Sequence, residues 1–223
     1  MKVTTVIVHH HTDHYTNSLI DELRNKTIAD PVVFDNGSPT PYERNDVRIV
    51  RYPRNLLYVG AVNQIMEFFG EYDYVWVLNS DISNIPNGLL NEMLGHITRT
   101  YTVAAITPAV LPSPHEEMKP SDDVTVSYVK YIDWVAPLVR MDAWRSVGGF
   151  DPNLKGYGCD IDFCYRARKK GWIFEVVCNR SIKHVMGGTM GVVDAQGQND
   201  LGFMQNYLCK KYNVNDVWSL KYL

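Results

Sequence analysis

Three polar residues, Asn79, Ser80 and Asp81, directly follow a short apolar run at residues 74–78. The run is rich in aromatic and β-branched side chains and too short for a typical helix, so it predicts a buried strand. A strand that ends in a carboxylate must bring the charge to a solvated edge of the sheet, or to a group that pairs with it. Because Mg²⁺ and Mn²⁺ prefer oxygen ligands, Asp81 is a candidate metal ligand; the alternative interpretation is a turn cap.

Two other predicted strands also end in polar residues. Histidines 9 to 11 follow a strand at residues 3–8, and Asp35 opens a turn after a strand at residues 31–34. Side chains alternate along a strand, so His9 and His11 share a face, and a zinc site there would need two more ligands. Ligands of open parallel sheets bind beyond the carboxyl ends of the strands, so we expect these polar ends to converge in one crevice.

Two carboxylates, Asp160 and Asp162, stand at the predicted start of a helix over residues 160–170. Their structural interpretation is an N-cap and a first-turn partner of the helix dipole. Gly156 and Gly158 directly precede them, and glycines permit close approach of a substrate, which favours a functional loop. His184, which precedes a glycine pair, also has both a structural and a ligand interpretation.

The elements that must position these residues alternate in the first half of the chain. Apolar runs predict strands, and apolar residues at helical spacing predict the helices between them. The predicted strands are residues 3–8, 31–34, 47–51, 74–78 and 103–107, and the predicted helices are residues 13–26, 58–70 and 89–98. This order predicts an α/β fold with a Rossmann-like, mixed but mostly parallel sheet and helices on both faces.

The second half of the chain does not continue the regular alternation of strands and helices. Prolines and charges predict a long, mobile loop at residues 111–123, followed by two strands, residues 124–131 and 134–140, that alternate as if paired with each other. Helices are predicted at residues 141–147, 160–170 and 200–212, and extended segments at residues 172–177 and 181–185. With no repeat or linker in the sequence, we expect a single domain over residues 1–223.

The composition excludes several classes of protein. The 223 residues are 45% hydrophobic and 21% charged, with a net charge of −3 and a pI near 6.1, which argues against a broad nucleic-acid interface but leaves a local basic strip open. The four cysteines form no CxxC pair, which favours free thiols in the cytoplasm. No apolar stretch reaches the length of a membrane span, so a soluble protein is expected.

The ordered set of motifs resembles a known family. In chain order they are VIVHHH, FDNGS, YPRNLLYVGAVNQI, YVWVLNSDI, WVAPLVRMDAWRSVGGFDPNLKGYGCDIDFCYRARKKGW and HVMGG. Together, from about residue 3 to 191, they resemble the inverting nucleotide-sugar glycosyltransferases of family two, in particular the rhamnosyltransferase-like branch. The resemblance implies a GT-A fold, with a nucleotide-sugar-binding half at residues 1–110 and an acceptor-binding, catalytic half at residues 111–223.

The resemblance also implies roles at the donor end. Asp81 and His184 would bind Mg²⁺ or Mn²⁺ together with the donor diphosphate, although Asn79 stands where the family has a first aspartate. The other implied donor-binding residues are His9, His11, Asp35, Asn63, Asn79 and Ser80. Asp35 would accept a hydrogen bond from the nucleobase, which suggests a UDP- or dTDP-sugar.

The catalytic base implied by the resemblance is Asp160, and Asp162 is the second choice. Cys159 replaces a glutamate of the family, so a support for the base is expected to be missing. Leu57 replaces a glycine, so the loop there is expected to differ in shape. On the acceptor side we expect Gly158 and Trp134, whose ring can stack on a sugar.

Three functions compete. The leading hypothesis is a metal-dependent inverting glycosyltransferase that acts on a glycan or another hydroxyl acceptor, with a homodimer left open. A sugar nucleotidyltransferase would need a glycine-rich, basic loop after the first strand, and HHHTDHYTN has none. A non-catalytic nucleotide-sugar-binding relative is suggested by Asn79 and Cys159, and donor hydrolysis without acceptor would separate it from the enzyme.

Overall fold

The structure of the protein, a computed structural model, describes residues 1–26, 30–185 and 201–223. The strands are β1 (Val3–His9), β2 (Pro31–Asn36), β3 (Arg48–Tyr52), β4 (Tyr74–Asn79), β5 (Ile82–Ser83), β6 (Val103–Leu111), β7 (Val126–Val129), β8 (Leu138–Arg140) and β9 (Ile173–His184). The helices are α1 (Asp13–Lys26), α2 (Leu57–Phe68), α3 (Leu89–Arg99), α4 (Met141–Val147), α5 (Cys159–Arg168) and α6 (Leu201–Tyr212), and short 3₁₀ helices cover Glu116–Met118 and Val217–Lys221.

In the described ranges, the strands form one sheet in the order β3-β2-β1-β4-β8-β6-β9-β5, and β7 pairs with residues 174–177 of β9. Strands β3, β2, β1 and β4 run parallel, as do β6 and β9, while β8 joins the two groups in antiparallel pairing. The predicted α/β fold class, with a mixed and mostly parallel sheet, is confirmed.

Strand β4 lies at the centre of this arrangement because its side chains suit burial on both faces. Residues 74–78 are all buried, and Trp76 is fully buried with its indole Nε1–H donating to the Ala136 carbonyl at 3.0 Å. Helix α1 covers the sheet with Leu19, Ile20 and Leu23, which are fully buried at helical spacing. The polar residues that follow β4 are therefore held at the edge of a rigid core.

One predicted pairing is wrong. The segments at residues 124–131 and 134–140 do not pair with each other, because β7 pairs with β9 and β8 lies between β4 and β6. Only Leu138–Arg140 of the second segment is a strand. The extended segments at residues 172–177 and 181–185 are one strand, β9, whose register against β6 shifts beside Pro108. Alternation predicted extended backbone here, but the partner of an extended segment is set by long-range packing.

The segment at residues 111–123 is anchored at Met118 and Glu117, and its expected mobility stays a prediction. Met118 is fully buried, and Glu117 forms an ion pair with Lys221 of the C-terminal 3₁₀ helix at 2.9 Å. Within the described ranges, no helix is long and apolar enough to cross a bilayer. The predicted helix at residues 200–212 is confirmed from Leu201, and Asp200 and residues 186–188 of the HVMGG motif lie outside the described residues.

Candidate active site

A cavity of about 430 Å³ lies at the ends of strands β1, β2 and β4, as expected for an open parallel sheet. Its wall on that side comprises Val8, His10, Asn36, Asn55, Leu57, Tyr58, Asn79, Ser80 and Asp81. The opposite wall comes from the second half of the chain and includes Pro112, Pro114, His115, Tyr131, Asp133, Trp134, Gly158, Cys159, Asp160, His184, Met204 and Trp218. The cavity is therefore built by both halves of the sequence.

Asp160 lies in the first turn of α5, and both of its carboxylate oxygens are held. The Ile161 N–H donates to Oδ1 at 2.8 Å, and the hydroxyl of Tyr131 lies 2.6 Å from Oδ2. Burial, and next the charge of Asp133, raise the pKa of Asp160 to about 6, against the hydrogen bonds from Tyr131 and Ile161. A carboxylate with that pKa is poised to take a proton near neutral pH.

Tyr131 and Asp133 are site residues that the sequence did not single out. The Tyr131 hydroxyl also lies 2.7 Å from Asp133 Oδ1, and burial raises the pKa of Tyr131 well above its ordinary value. Tyr131 follows β7 and Asp133 lies in the irregular segment before β8, so neither belongs to a recognisable motif. The hydroxyl of Tyr131 gives Asp160 a support from another element, at a site where Cys159 was expected to leave one missing.

Asp81 and His184 come together at the other side of the cavity. Strands β5 and β9 pair so that Ile82 lies opposite His184, which places the His184 Nε2 atom 3.3 Å from Asp81 Oδ1. Asp81 is 4% exposed, and its main-chain carbonyl accepts a hydrogen bond from Val185. Among the residues that the structure describes, no group of three or more His, Cys, Asp or Glu side chains could hold a metal.

This pair fits a divalent ion that is shared with a substrate. Mg²⁺ and Mn²⁺ commonly use one or two protein ligands together with phosphate oxygens and water, rather than a complete protein cage. A buried carboxylate beside an imidazole, at the mouth of strands that also carry Asn79 and Ser80, supplies such an incomplete ligand set.

Of histidines 9 to 11, His10 lines the cavity, and His9 and His11 do not. His9 is fully buried against α1, with Nδ1 2.7 Å from Thr16 Oγ1, and burial lowers the pKa of His9 to about 4. His11 has φ of 55° and is exposed, because the chain turns directly after β1. The strand alternation behind the prediction ends at His9, so it does not apply to the next two residues.

Asp35 is likewise behind the wall of the cavity rather than in it. It is fully buried; burial alone raises its pKa, but hydrogen bonds from Ser38 and Tyr42 and the charge of Arg51 outweigh this effect and lower the pKa. The next residue, Asn36, faces the cavity, where its carbonyl accepts from His10 Nδ1–H at 3.0 Å. Asp35 thus fixes the turn that presents Asn36.

Asn63 and Asp162 also lie outside the lining. The Asn63 side chain both accepts from and donates to the backbone of Phe150, at 2.9 and 3.1 Å, and so ties α2 to the segment after α4. Asp162 is fully buried between Arg166 and Lys211, which lie 2.6 Å from its two oxygens. Asp162 therefore joins α5 to α6, and its charge is already paired.

Trp134 and Gly158, which were predicted for the acceptor side, line the cavity. Trp134 is 4% exposed, packs against Trp144, Phe150 and Phe163, and has no hydrogen-bond partner for Nε1 among the described residues. Gly158 has φ of 79°, and a Cβ there would lie 2.5 Å from the side chain of Met204 in α6. The glycine is thus required by helix packing as well as by its backbone conformation.

Leu57 has a left-handed conformation, with φ of 59°, although it lacks the freedom of glycine, and it lines the cavity at the start of α2. The expected difference in loop shape stays a prediction. The side chain of Asn55 accepts from the Leu57 N–H at 2.7 Å, and Asn36 donates to the Leu57 carbonyl at 3.3 Å. These hydrogen bonds hold the strained residue in place.

Comparison with solved structures identifies the fold of this chain. No family model and no curated protein matches the sequence. Among solved structures, GalNAc-T7 with UDP, GalNAc and Mn²⁺ matches with a TM-score of 0.67 and 12% identity, over 99% of this chain and 56% of that one. S. aureus TarS matches with a TM-score of 0.60 and 12% identity, over 96% of this chain and 43% of that one. S. aureus TarS 1–349 in complex with UDP matches with a TM-score of 0.59 and 11% identity, over 96% of this chain and 73% of that one.

The chain thus spans about half the length of the first two of these structures. At 11 to 12% identity the likeness concerns the fold, and the chain has the GT-A glycosyltransferase fold.

Proposed function

We propose that the protein is an inverting glycosyltransferase that moves a sugar from a nucleotide-sugar, a UDP- or dTDP-sugar, to a hydroxyl of an acceptor. One observation carries the proposal: Asp160, a carboxylate with a raised pKa and both oxygens held, lines the same cavity as the Asp81–His184 pair. The first is suited to activating a hydroxyl, and the second to holding a diphosphate.

In the proposed reaction, the acceptor hydroxyl attacks the anomeric carbon from the face opposite the nucleoside diphosphate. The new carbon–oxygen bond forms as the bond to the diphosphate oxygen breaks, which inverts the anomeric configuration. Asp160 takes the hydroxyl proton on one of its two oxygens, each of which keeps a lone pair beside the bonds from Ile161 and Tyr131. The reaction needs no covalent intermediate on the protein.

Asp81 and His184 would hold a Mn²⁺ or Mg²⁺ ion at the diphosphate. Such an ion supplies positive charge that stabilises the departing phosphate oxygens. Both residues lie at strand ends of one sheet, so their separation is fixed before any ligand binds. The GalNAc-T7 structure contains Mn²⁺ and UDP and a TarS structure contains UDP, which supports a divalent metal and a uridine nucleotide for this fold.

The nucleotide is proposed to occupy the wall formed by residues 1–110, and the acceptor the wall formed by residues 111–223. On the nucleotide side, Asn79 and Ser80 face the cavity together with His10, Asn36 and Asn55. Asp35, His9 and Asn63 contribute from behind, since each fixes a segment that lines the cavity. Trp134 and Gly158 line the acceptor side, close to Asp160.

The decisive experiment is a thermal-shift screen of nucleotide-sugars with and without Mn²⁺, followed by measurement of donor hydrolysis without acceptor. We expect a uridine or thymidine diphosphate sugar to raise Tm only when the metal is present, and slow release of the nucleotide. Asp81→Ala should abolish the metal-dependent part of the shift, while Asp73→Ala, which changes an exposed aspartate away from the cavity, should keep it. Binding that is equally strong in EDTA would contradict the metal assignment, and binding without turnover would favour a non-catalytic protein.

A further inference from the structure

The Tyr131 hydroxyl bridges two carboxylates. Its oxygen lies 2.6 Å from Asp160 Oδ2 and 2.7 Å from Asp133 Oδ1, both within hydrogen-bond distance. A phenol has one proton to donate, so it can donate to only one carboxylate at a time. The second contact is favourable only when the other carboxyl carries a proton and donates it to the phenolic oxygen. The three groups are therefore arranged to share a proton.

Asp133 has further contacts besides the one with Tyr131. His115 Nε2 lies 3.4 Å from Asp133 Oδ1, and Ser113 Oγ lies 3.4 Å from Asp133 Oδ2. The Lys221 ammonium lies 2.9 Å from His115 Nδ1, so that nitrogen accepts and the imidazole proton sits on Nε2, facing Asp133. Each carboxylate oxygen of Asp133 therefore has at least one hydrogen-bonding group beside it.

Tyr131 is suited to pass a proton on while its hydroxyl stays neutral, because its phenolate form is disfavoured. It is 2% exposed, and Lys221 Nζ lies 4.1 Å from the centre of its ring. Burial and the charges of Asp160 and Asp133 raise the pKa of its hydroxyl well above the ordinary value. The phenolate is therefore costly, so any proton that leaves the oxygen must be matched by one that arrives.

We propose that Tyr131 and Asp133 form a proton relay for Asp160, in which the proton taken from the acceptor hydroxyl is passed on to Asp133. When Asp160 has taken the proton on Oδ2, it donates it to the Tyr131 oxygen while the Tyr131 hydroxyl proton moves to Asp133 Oδ1. Two O–H bonds break and two form, Tyr131 stays neutral, and Asp160 is again a carboxylate. Asp133 is 16% exposed and lines the cavity, so it returns the proton to solvent there.

The inference rests on the proposed role of Asp160 as base, but it has a test that needs no substrate. The pKa of Asp160 is measured in the full-length protein by carbon NMR with labelled aspartate carboxyls, and the Asp160→Asn spectrum assigns the signal. The groups that face Asp160 from its own helix and from neighbouring elements are Tyr58, Tyr131, Asp133, Cys159 and Cys164. Among these, Asp133 supplies a negative charge and Tyr131 a hydrogen bond, so their removal has opposite effects.

We expect Tyr131→Phe to raise the pKa of Asp160, because the ionised form loses a donor, and Asp133→Asn to lower it, because a nearby negative charge is removed. The matched controls are Tyr128→Phe, at a tyrosine that is 68% exposed on β7, and Asp123→Asn, at an exposed aspartate. Neither control should shift the pKa. These shifts test whether both groups act directly on Asp160, and the fall in kcat tests whether they carry its proton.

The kinetic arm uses turnover of the donor found in the thermal-shift screen. Tyr131→Phe and Asp133→Asn should each lower kcat about tenfold or more with the donor KM unchanged. Tyr131→Phe should move the acid limb of the pH profile to higher pH, and Asp133→Asn should move it to lower pH. Unchanged kcat in both variants would overturn the relay, even if the pKa of Asp160 shifts as expected. If Tyr131→Phe does not fold, Asp133→Asn decides alone, because the relay requires the loss of the final proton acceptor to lower kcat.

Failure of the proposed function has a different signature. If Asp160→Asn retains full turnover, Asp160 is not the base. If Asp160→Asn is inactive while Tyr131→Phe and Asp133→Asn match the wild-type protein, the base stands and only the relay is wrong.

Discussion

At the scale of single residues, the site depends on what each side chain meets in the fold rather than on its type. Asp160 and Asp162 are two positions apart, yet Asp160 lines the cavity with a pKa near 6, while Asp162 is buried with Arg166 and Lys211. Both begin α5, and the helix directs them to opposite sides. One carboxylate is thus available for chemistry, and the other is committed to structure.

Asp160→Asn should remove the proton acceptor while keeping the size of the side chain. We expect kcat to fall on the order of a hundredfold or more, with donor affinity nearly unchanged. In the wild-type protein, kcat/KM should fall as the pH drops below about 6, where Asp160 becomes protonated. Steady-state kinetics between pH 5 and pH 8 check both statements. A profile that stays flat through about pH 6 would rule Asp160 out as the base.

Asp160→Asn should also stabilise the folded protein above pH 6. Burial raises the pKa of Asp160 to about 6 in the folded state, above its ordinary value of 3.8. The extra stability of the protonated form is complete below pH 3.8 and is lost as the pH rises through 6, so the ionised carboxylate opposes folding at neutral pH. We expect Asp160→Asn to gain on the order of 1–2 kcal/mol at pH 7.5 and much less at pH 4.5. Urea unfolding at the two pH values measures the difference.

At the scale of elements, contacts between helices and loops fix the part of the cavity wall that carries Asp160. The buried charge network of Asp162 holds α6 against α5, and Gly158 lets Met204 of α6 approach the start of α5. On the other side, the segment around Met118 packs under the C-terminal 3₁₀ helix through the Glu117–Lys221 ion pair. Asp160 is thus supported by segments from three regions of the chain.

Asp162→Asn should act on stability rather than on chemistry. Removing one partner of a buried ion network leaves the charges of Arg166 and Lys211 without a carboxylate, which typically costs about 3 kcal/mol or more. The matched control is Asp142→Asn, which breaks an exposed pair with Arg145 and should cost less than about 1 kcal/mol. Thermal unfolding measures both. If Asp162→Asn instead loses turnover at unchanged Tm, Asp162 belongs to the chemistry.

Met118→Ala should loosen the segment that covers the acceptor side. Met118 is fully buried, and truncation of such a side chain costs about 2–5 kcal/mol. Because Pro112, Pro114 and His115 of the same segment line the cavity, we expect slower transfer and a larger share of donor lost to water. Hydrogen exchange of residues 112–123 and the ratio of transfer to hydrolysis are the readouts. Val124→Ala, at a residue that is 43% exposed, should change neither.

At the scale of the whole molecule, one sheet runs through both halves of the chain. Strand β8 of the second half pairs with β4 of the first and with β6, so the proposed nucleotide and acceptor halves share a core rather than meeting at a linker. The cavity at the strand ends is lined by residues from Val8 to Trp218. Its geometry therefore depends on the complete sheet.

A fragment of residues 1–110 should not fold by itself. It would expose the edge of β4, which is buried against β8, and would leave β6 without β8 and β9. We expect little cooperative unfolding and strong binding of a hydrophobic dye, whereas the full chain should unfold in one transition. Circular dichroism with thermal melting tests this. A fragment with its own sharp transition would mean that the two halves are separate domains.

The elements of the first half follow from local sequence patterns, because apolar periodicity and turn residues act locally. These patterns placed β4 and α1 closely, and they located Asn79, Ser80 and Asp81 at a strand end that lines the cavity. His184 was selected from the motif order, and it lies beside Asp81. Asp160 was also selected from the motif order, and it lines the cavity.

Only the tertiary structure decided which side chains face the cavity and which support it from behind. His10 rather than His9 or His11 lines the wall, Asp35 and Asn63 hold segments in place, and Tyr131 reaches Asp160 across 29 positions of sequence. The strand pairing of the second half was also not predictable from the sequence, since β7 pairs with β9 and β8 pairs with β4. The physical reason is common to all: alternation shows that a segment is extended, but its partners depend on which distant surfaces bury the most apolar area and satisfy the most hydrogen bonds.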